Sequence, residues 1–272
     1  MSTLEITQLN LWYGKFRALK DITLPKLQPG EVVGLIGPNA AGKSTFLKSL
    51  LWPGKAEQIT SYGETNISHY SRQERSRIFG LMTQTPPQAS SLTPYELLWS
   101  LARALNLPLS YDVLKEEISL KLEQFGLSEE ALKPLDSLSG GKRQLVGLTM
   151  LLLRSPDVYL LDEPTSALDL HWRLTVLSEM RELIKVQEKI AIIALHDLNL
   201  ALRFCDKLIL LHEGELVAYG HPLDVLTEQS LSDVYNVEAK IETTKNGNPR
   251  IEIIAPLKTT KSSFIDKGEK HV

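Results

Sequence analysis

Residues 37–45 read Gly37-Pro38-Asn39-Ala40-Ala41-Gly42-Lys43-Ser44-Thr45. This is the spacing G-x-x-x-x-G-K-[ST], and its flanks fit. The buried run EVVGLIG leads into it, and a helical pattern through Phe46, Leu47 and Leu50 leads out. Glycines let backbone N–H groups wrap closely around phosphate oxygens, and a helix start adds partial positive charge. Lys43 is placed to reach the β- and γ-phosphates of a nucleotide, and Ser44 to ligate Mg²⁺. A second cluster follows the apolar run DVYLL, where Asp162 and Glu163 stand at the C-terminal end of a buried strand. Ligands of parallel α/β sheets gather at that edge. Asp162 is expected to help hold Mg²⁺ and Glu163 to polarise an attacking water. Together these residues point to Mg²⁺-dependent hydrolysis of a nucleoside triphosphate.

The elements around them follow from pattern. The first 30 residues read as strands up to the Pro29-Gly30 turn, and Pro53-Gly54 ends the helix begun at Lys43. Residues 56–82 read as short strands and loops around the charged segment SRQERSR. Residues 94–153 look helical: Pro94 suits a first turn, and Tyr95, Leu98, Trp99, Ala102 and Leu105 share one helical face. Leu114, Ile118, Leu122 and Phe125 repeat that spacing, so this block is expected to be a helical subdomain inserted into a β/α chain. Strands return at 157–161 and 190–195 around a helix over about 170–187. Residues 206–219 read as a hairpin turning at Glu213-Gly214, and Pro222 starts a short helix. Asn246-Gly247 signals a further hairpin, and the tail 256–272 is expected to fray.

Composition excludes several classes. In 272 residues, 43% are hydrophobic and 23% charged, which supports a sizeable core and argues against wholesale disorder. Thirty Lys+Arg against 33 Asp+Glu give a net charge of −3, without the basic excess of a dedicated nucleic-acid binder. The one cysteine, Cys205, lies in an apolar stretch and reads as core. No apolar run approaches the roughly 20 residues of a membrane span. MSTLEITQLN has no basic start before an apolar run, so no signal peptide is expected. His69, His171, His212, His221 and His271 show no metal-ligand spacing.

The segment LSGGKRQ (138–144) resembles the signature of the ATP-binding cassette (ABC) transporter ATPases, LSGGQ, with Lys142 in place of the usual Gln. Ser139, Gly140 and Gly141 open a helix, where bare N–H groups can approach a phosphate. The family's other elements follow in order. Tyr13 matches the aromatic that stacks on adenine, Gln84 the Q-loop, Ser166 to Asp169 the D-loop, and His196 the switch histidine near the γ-phosphate. The stretches GHPLDVLTEQSLSDVYNVEA and HDLNLALRFCDKLILLHEGELVAYG are further similar to ATPases of iron-siderophore, haem and cobalamin importers. Asn236 stands where that group usually has Gly, and the segment after Gln84 lacks its Gly-Arg-x-Pro pattern.

The resemblance implies an α/β fold: a P-loop NTPase core with an N-terminal antiparallel β-layer and a helical subdomain over about 88–152. It implies an ABC ATPase domain over 1–240, followed by a C-terminal hairpin and flexible tail over 241–272. It implies ATP with Mg²⁺, the metal held by Ser44, Gln84 and Asp162, and catalysis by Lys43, Gln84, Glu163 and His196. The nucleotide would lie on Tyr13, residues 37–45, and Ser139, Gly140, Gly141 and Asp169 of a second chain. The partners implied are that second ATPase chain in a nucleotide-dependent homodimer, transmembrane permease subunits and an extracytoplasmic substrate-binding protein, with no nucleic acid. The segment 86–99 is expected to meet the permease, at the cytoplasmic face of the inner membrane.

Overall fold

The computed structural model describes residues 2–54, 56–244 and 247–257. The chain opens with the hairpin β1 (Leu4–Tyr13) and β2 (Phe16–Leu27), then β3 (Val32–Ile36) and α1 (Lys43–Leu51). Next come β4 (Glu57–Tyr62), β5 (Thr65–Asn66), α2 (Arg72–Ile78) and β6 (Phe79–Met82). The helices α3 (Pro94–Ala104), α4 (Tyr111–Gln124) and α5 (Gly140–Arg154) precede β7 (Val158–Asp162), α6 (Leu170–Val186), β8 (Ile190–Ala194) and α7 (Leu198–Phe204). The hairpin β9 (Lys207–His212) and β10 (Glu215–Gly220) leads through α8 (Pro222–Val225) and α9 (Glu228–Tyr235) to β11 (Val237–Thr243) and β12 (Pro249–Pro256).

A six-stranded sheet, order β10-β9-β3-β8-β7-β6, forms the centre; only β10 runs antiparallel to its neighbour. Its inner strands are buried on both faces, as parallel strands covered on two sides must be. Side chains alternate between two cores. Val158 and Leu160 of β7 join β1, β2 and α1 on one side, while Tyr159 and Leu161 join α5, α6 and the helical block on the other. The antiparallel sheet β2-β1-β4-β5 is the expected β-layer. The broken alternation of β1 is a bulge, with Gln8 at φ 53 between Ile6 and Leu9.

The helical block separates into α3, α4 and α5. Thr93 and Glu96 form a capping box at α3, with Pro94 in the first turn. Leu114, Ile118, Leu122 and Phe125 are all buried, as their spacing requires. One expectation is corrected: the charged segment SRQERSR is a helix, α2. A Ser71–Glu74 capping box starts it. Its only buried residue is Arg75, so it has no apolar stripe to announce it. The Arg75 guanidinium donates to Leu50 O at the end of α1 (2.8 Å) and to Ile67 O (3.0 Å). That places a cation where a helix dipole is negative.

Cys205 is buried against Gly34, and burial pushes its thiol up to about 12, which makes it inert. Asn236 ends α9 in the left-handed conformation (φ 56), and Asn is the residue other than Gly best suited to it. β11 begins at Val237 and pairs with β12 from Val237↔Pro256 to Thr243↔Pro249. In the turn expected at Asn246-Gly247, Gly247 takes φ 79, while Asn246 lies outside the described residues. The tail from residue 258 onward also lies outside them.

The departure at Lys142 has a local partner. Its Nζ lies 2.5 Å from Oε1 of Glu130, whose side chain is 7% exposed, with Lys133 at 3.6 Å. The Lys142 hydrogen bond is the main cause holding the Glu130 carboxyl below its usual range. A depressed carboxyl contributes stability above its unfolded pKa of about 4.3 and loses it as pH falls through the folded value. Glu130→Gln is therefore expected to lower Tm at pH 7 by ~2–4 °C. Thermal melts at successively lower pH should show the gap to wild type closing below about pH 4.

Candidate nucleotide site

The parallel register brings four strand ends to one edge. Leu35 pairs with Ala194, Ala194 with Asp162, and Leu161 with Met82. The loops that follow β3, β7, β8 and β6 therefore open side by side, carrying residues 37–42, Glu163, His196 and Gln84. Gly37 leaves β3 at φ 148, and a Cβ there would lie 2.2 Å from Leu211 O, so no side chain fits. Ala40 (φ 62) and Gly42 (φ 102) complete the left-handed turns that aim the loop into α1. Lys43 is 5% exposed; its ammonium folds back over the loop to Gly37 O (2.7 Å) and Pro38 O (3.0 Å). Burial lowers its pKa, while Glu163 and Asp162 oppose the shift.

Ser44 Oγ donates to Asp162 Oδ1 at 2.9 Å, joining the start of α1 to the end of β7. Burial pushes the Asp162 carboxyl up, against the Ser44 hydrogen bond and the nearby lysines Lys48 and Lys43. A hydroxyl and a carboxylate are hard oxygen donors of the kind Mg²⁺ takes. Among the described residues no group of three or more His, Cys, Asp or Glu is assembled for a metal.

Glu163 follows β7 at φ 54, a backbone state uncommon outside glycine. Gln84 Nε2 donates to its Oε2 at 2.9 Å, and His196 Nε2 lies 2.5 Å from its Oε1. One carboxylate thus gathers residues from the ends of three strands. A carboxylate so held can take a proton from a water.

Tyr13 sits elsewhere on the rim, 59% exposed at the end of β1. With Trp12, Thr45, Lys48 and Trp52 it lines a depression of about 400 Å³ beside α1. Ser139, Gly140, Gly141 and Asp169 line a different concavity, of about 480 Å³, with Phe125 and Trp172 and none of the phosphate loop. There Ser139 caps α5, accepting from Lys142 N at 3.3 Å, and Asp169 caps α6, accepting from Trp172 N at 3.0 Å. The sequence-predicted residues therefore form two surfaces of one chain.

Two contributors escape sequence reading. Gln144 is buried in α5; its amide donates to Glu163 O (2.9 Å) and accepts from Ala167 N (3.0 Å). It ties the Ser139 helix to the loop after Glu163. Its one signal is a glutamine that directly precedes the apolar run of α5. Gly214, read only as a hairpin turn, donates to Ala41 O at 3.1 Å and accepts from Lys20 N at 2.8 Å. It clamps the phosphate loop to the β-layer.

The ABC transporter family model matches residues 19–166. The chain is 34% identical to the iron(3+)-hydroxamate import ATP-binding protein FhuC of Bacillus subtilis (strain 168), over 91% of this chain and 93% of that protein. It is 36% identical to the hemin import ATP-binding protein HmuV of Shewanella denitrificans, over 91% of this chain and 99% of that protein. Among solved structures, the ATP-binding subunit of an ABC transporter superposes with TM-score 0.72 at 29% identity, covering 82% of this chain and 91% of that one.

A Cβ on Gly214 would lie 2.3 Å from Ala18 O, at φ +80. A non-glycine residue held in such a conformation costs roughly 1–3 kcal/mol. Gly214→Ala is expected to displace the loop and weaken nucleotide binding by about ten- to a hundredfold, with secondary structure retained. Calorimetric titration alongside circular dichroism checks both parts.

Proposed function

This chain belongs to the ABC transporter family, and on that premise we propose that it is the ATPase of an importer for iron-siderophore or haem-type ligands. ATP binding, and hydrolysis coupled to transport, come with the family of import ATP-binding proteins. The observation that carries the catalytic reading is the Glu163 carboxylate held between Gln84 and His196, beside the Ser44–Asp162 pair. In this reading Lys43 leaves its loop carbonyls for the β- and γ-phosphates, and Glu163 takes the proton of the attacking water. His196 then holds the γ-phosphate side, and Tyr13 carries the adenine. Ser44 and Asp162, with Gln84 through its amide oxygen, would hold Mg²⁺, which when bound offsets charge on the phosphates.

The concavity at Ser139 supports a site shared between two copies. Its donors and Asp169 lie apart from the phosphate loop of their own chain, so a second copy would bring them to the γ-phosphate. ATP then joins the chains, and closure is the two-state event a permease reads. Among the described residues no helix is long and apolar enough to cross a membrane, and in this reading permease subunits supply the transmembrane path. An apolar groove of about 480 Å³ beside Gln84, lined by Met82, Pro86, Pro87, Leu97, Leu101 and Met150, suits a short permease helix. We place the chain peripherally on the cytoplasmic face of the membrane, its permease served by an extracytoplasmic binding protein. The names of the relatives, for hydroxamate-bound iron and hemin, favour iron chelates over cobalamin.

Losing a general base costs about 10²–10⁴-fold. Glu163→Gln in the permease complex is expected to keep ATP binding and slow turnover by that order; an unchanged rate removes Glu163 from the role. Acceleration of wild-type ATPase by an iron chelate, and not by cobalamin, tests the cargo.

For the shared site, Lys43→Ala chains are mixed with Ser139→Arg chains. A mixed dimer keeps one composite site with both halves intact, so ATPase or ATP-driven association should reappear. Neither on mixing, with a wild-type rate independent of concentration, overturns the sharing.

A further inference from the structure

The C-terminal hairpin is fastened to the helix that follows His196. Asn199, in the first turn of α7, uses its amide at two points: Nδ2 donates to Ile251 O (3.1 Å), and Oδ1 accepts from Ile251 N (2.8 Å). The amide stands in for a paired strand at the outer edge of β12, satisfying both main-chain groups of one residue. Ile251 is itself buried in the main core with Ala239 of β11. The main chain of Asn199 is held from the other side, since Asp197 Oδ1 accepts from Asn199 N (2.9 Å) and Leu200 N (3.1 Å). His196, Asp197 and Asn199 thus form one short path from the Glu163 carboxylate to β12. The hairpin's other end is fixed too, Leu257 N donating to Asn236 O at 2.8 Å.

We propose that the β11–β12 hairpin is a positioning element for His196, acting through Asn199. Pulling β12 away strips two hydrogen bonds from the first turn of α7, and His196 immediately precedes that turn's cap. A displacement of the hairpin would therefore be felt at the γ-phosphate end of the site. Asn199 touches no reacting atom and is a positioning residue. The inference rests on the catalytic part assigned to His196 above.

The test uses the full chain, as purified with its permease. A misplacement of a catalytic group by about 1 Å can cost up to 10²-fold. Asn199→Ala is expected to lower kcat about tenfold with KM for ATP within about twofold, and Asn199→Asp, which keeps the acceptor, to fall between. In a His196→Ala background, Asn199→Ala should change kcat by less than about twofold, since both changes act through one group. Deuterium exchange of the Asp197–Leu200 amides should speed up, with residues 37–45 unchanged. A kcat within about twofold of wild type, an equal loss in the His196→Ala background, or unchanged exchange each overturns the proposal. If wild type and Glu163→Gln turn over equally, the ATPase reading fails by itself, and exchange still decides whether β12 holds the turn.

Discussion

Parallel pairing of β6, β7, β8 and β3 in matched register sets Met82, Asp162, Ala194 and Leu35 close to one line across the sheet. Each strand hands its chain to a loop at the same edge, so residues far apart in sequence meet there. A one-residue slip would reverse the side-chain faces of a strand and send its apolar set into the wrong core. The two cores therefore enforce the register, and the register assembles the site.

The charges at that edge are balanced for a ligand. Asp162 and Glu163 follow one another at the end of β7, with Lys43 as the buried cation nearby, and burial opposes the charged forms of both Lys43 and Asp162. Hydrogen bonds answer part of this cost: Ser44 to Asp162, Gln84 and His196 to Glu163, and Lys43 to loop carbonyls. A nucleoside triphosphate offers the Lys43 ammonium a stronger partner than loop carbonyls, at a position already fixed by backbone.

Two main-chain devices keep the loops in place. Gly37 and Gly214 pass within contact distance of Leu211 O and Ala18 O, where a Cβ has no room. Gln144 spans from α5 to the backbone at Glu163 and Ala167, so the helical block is tied by hydrogen bonds to the main chain that carries the carboxylate. The block also leans on α6 where Gly126 meets the Trp172 ring.

The phosphate loop, the acidic strand end, the β-layer, the helical block and the hairpin at Glu213-Gly214 were legible in sequence, because glycine spacing, apolar periodicity and turn residues are local signals. The α2 helix was not, since its buried face is one arginine whose partners are carbonyls of other elements. Neither was the geometry around Glu163, because Gln84 and His196 reach it only through strand pairing that no local pattern encodes. Sequence alone determined which chemical groups are present and which local backbone shapes they take. Tertiary structure decided which of them meet. It placed Ser139 and Asp169 on a surface apart from Lys43, and turned Asn199 from an ordinary helix residue into the clamp on β12. The physical reason is that hydrogen bonds between distant residues depend on register and packing across the whole sheet, and no local stretch of sequence fixes either.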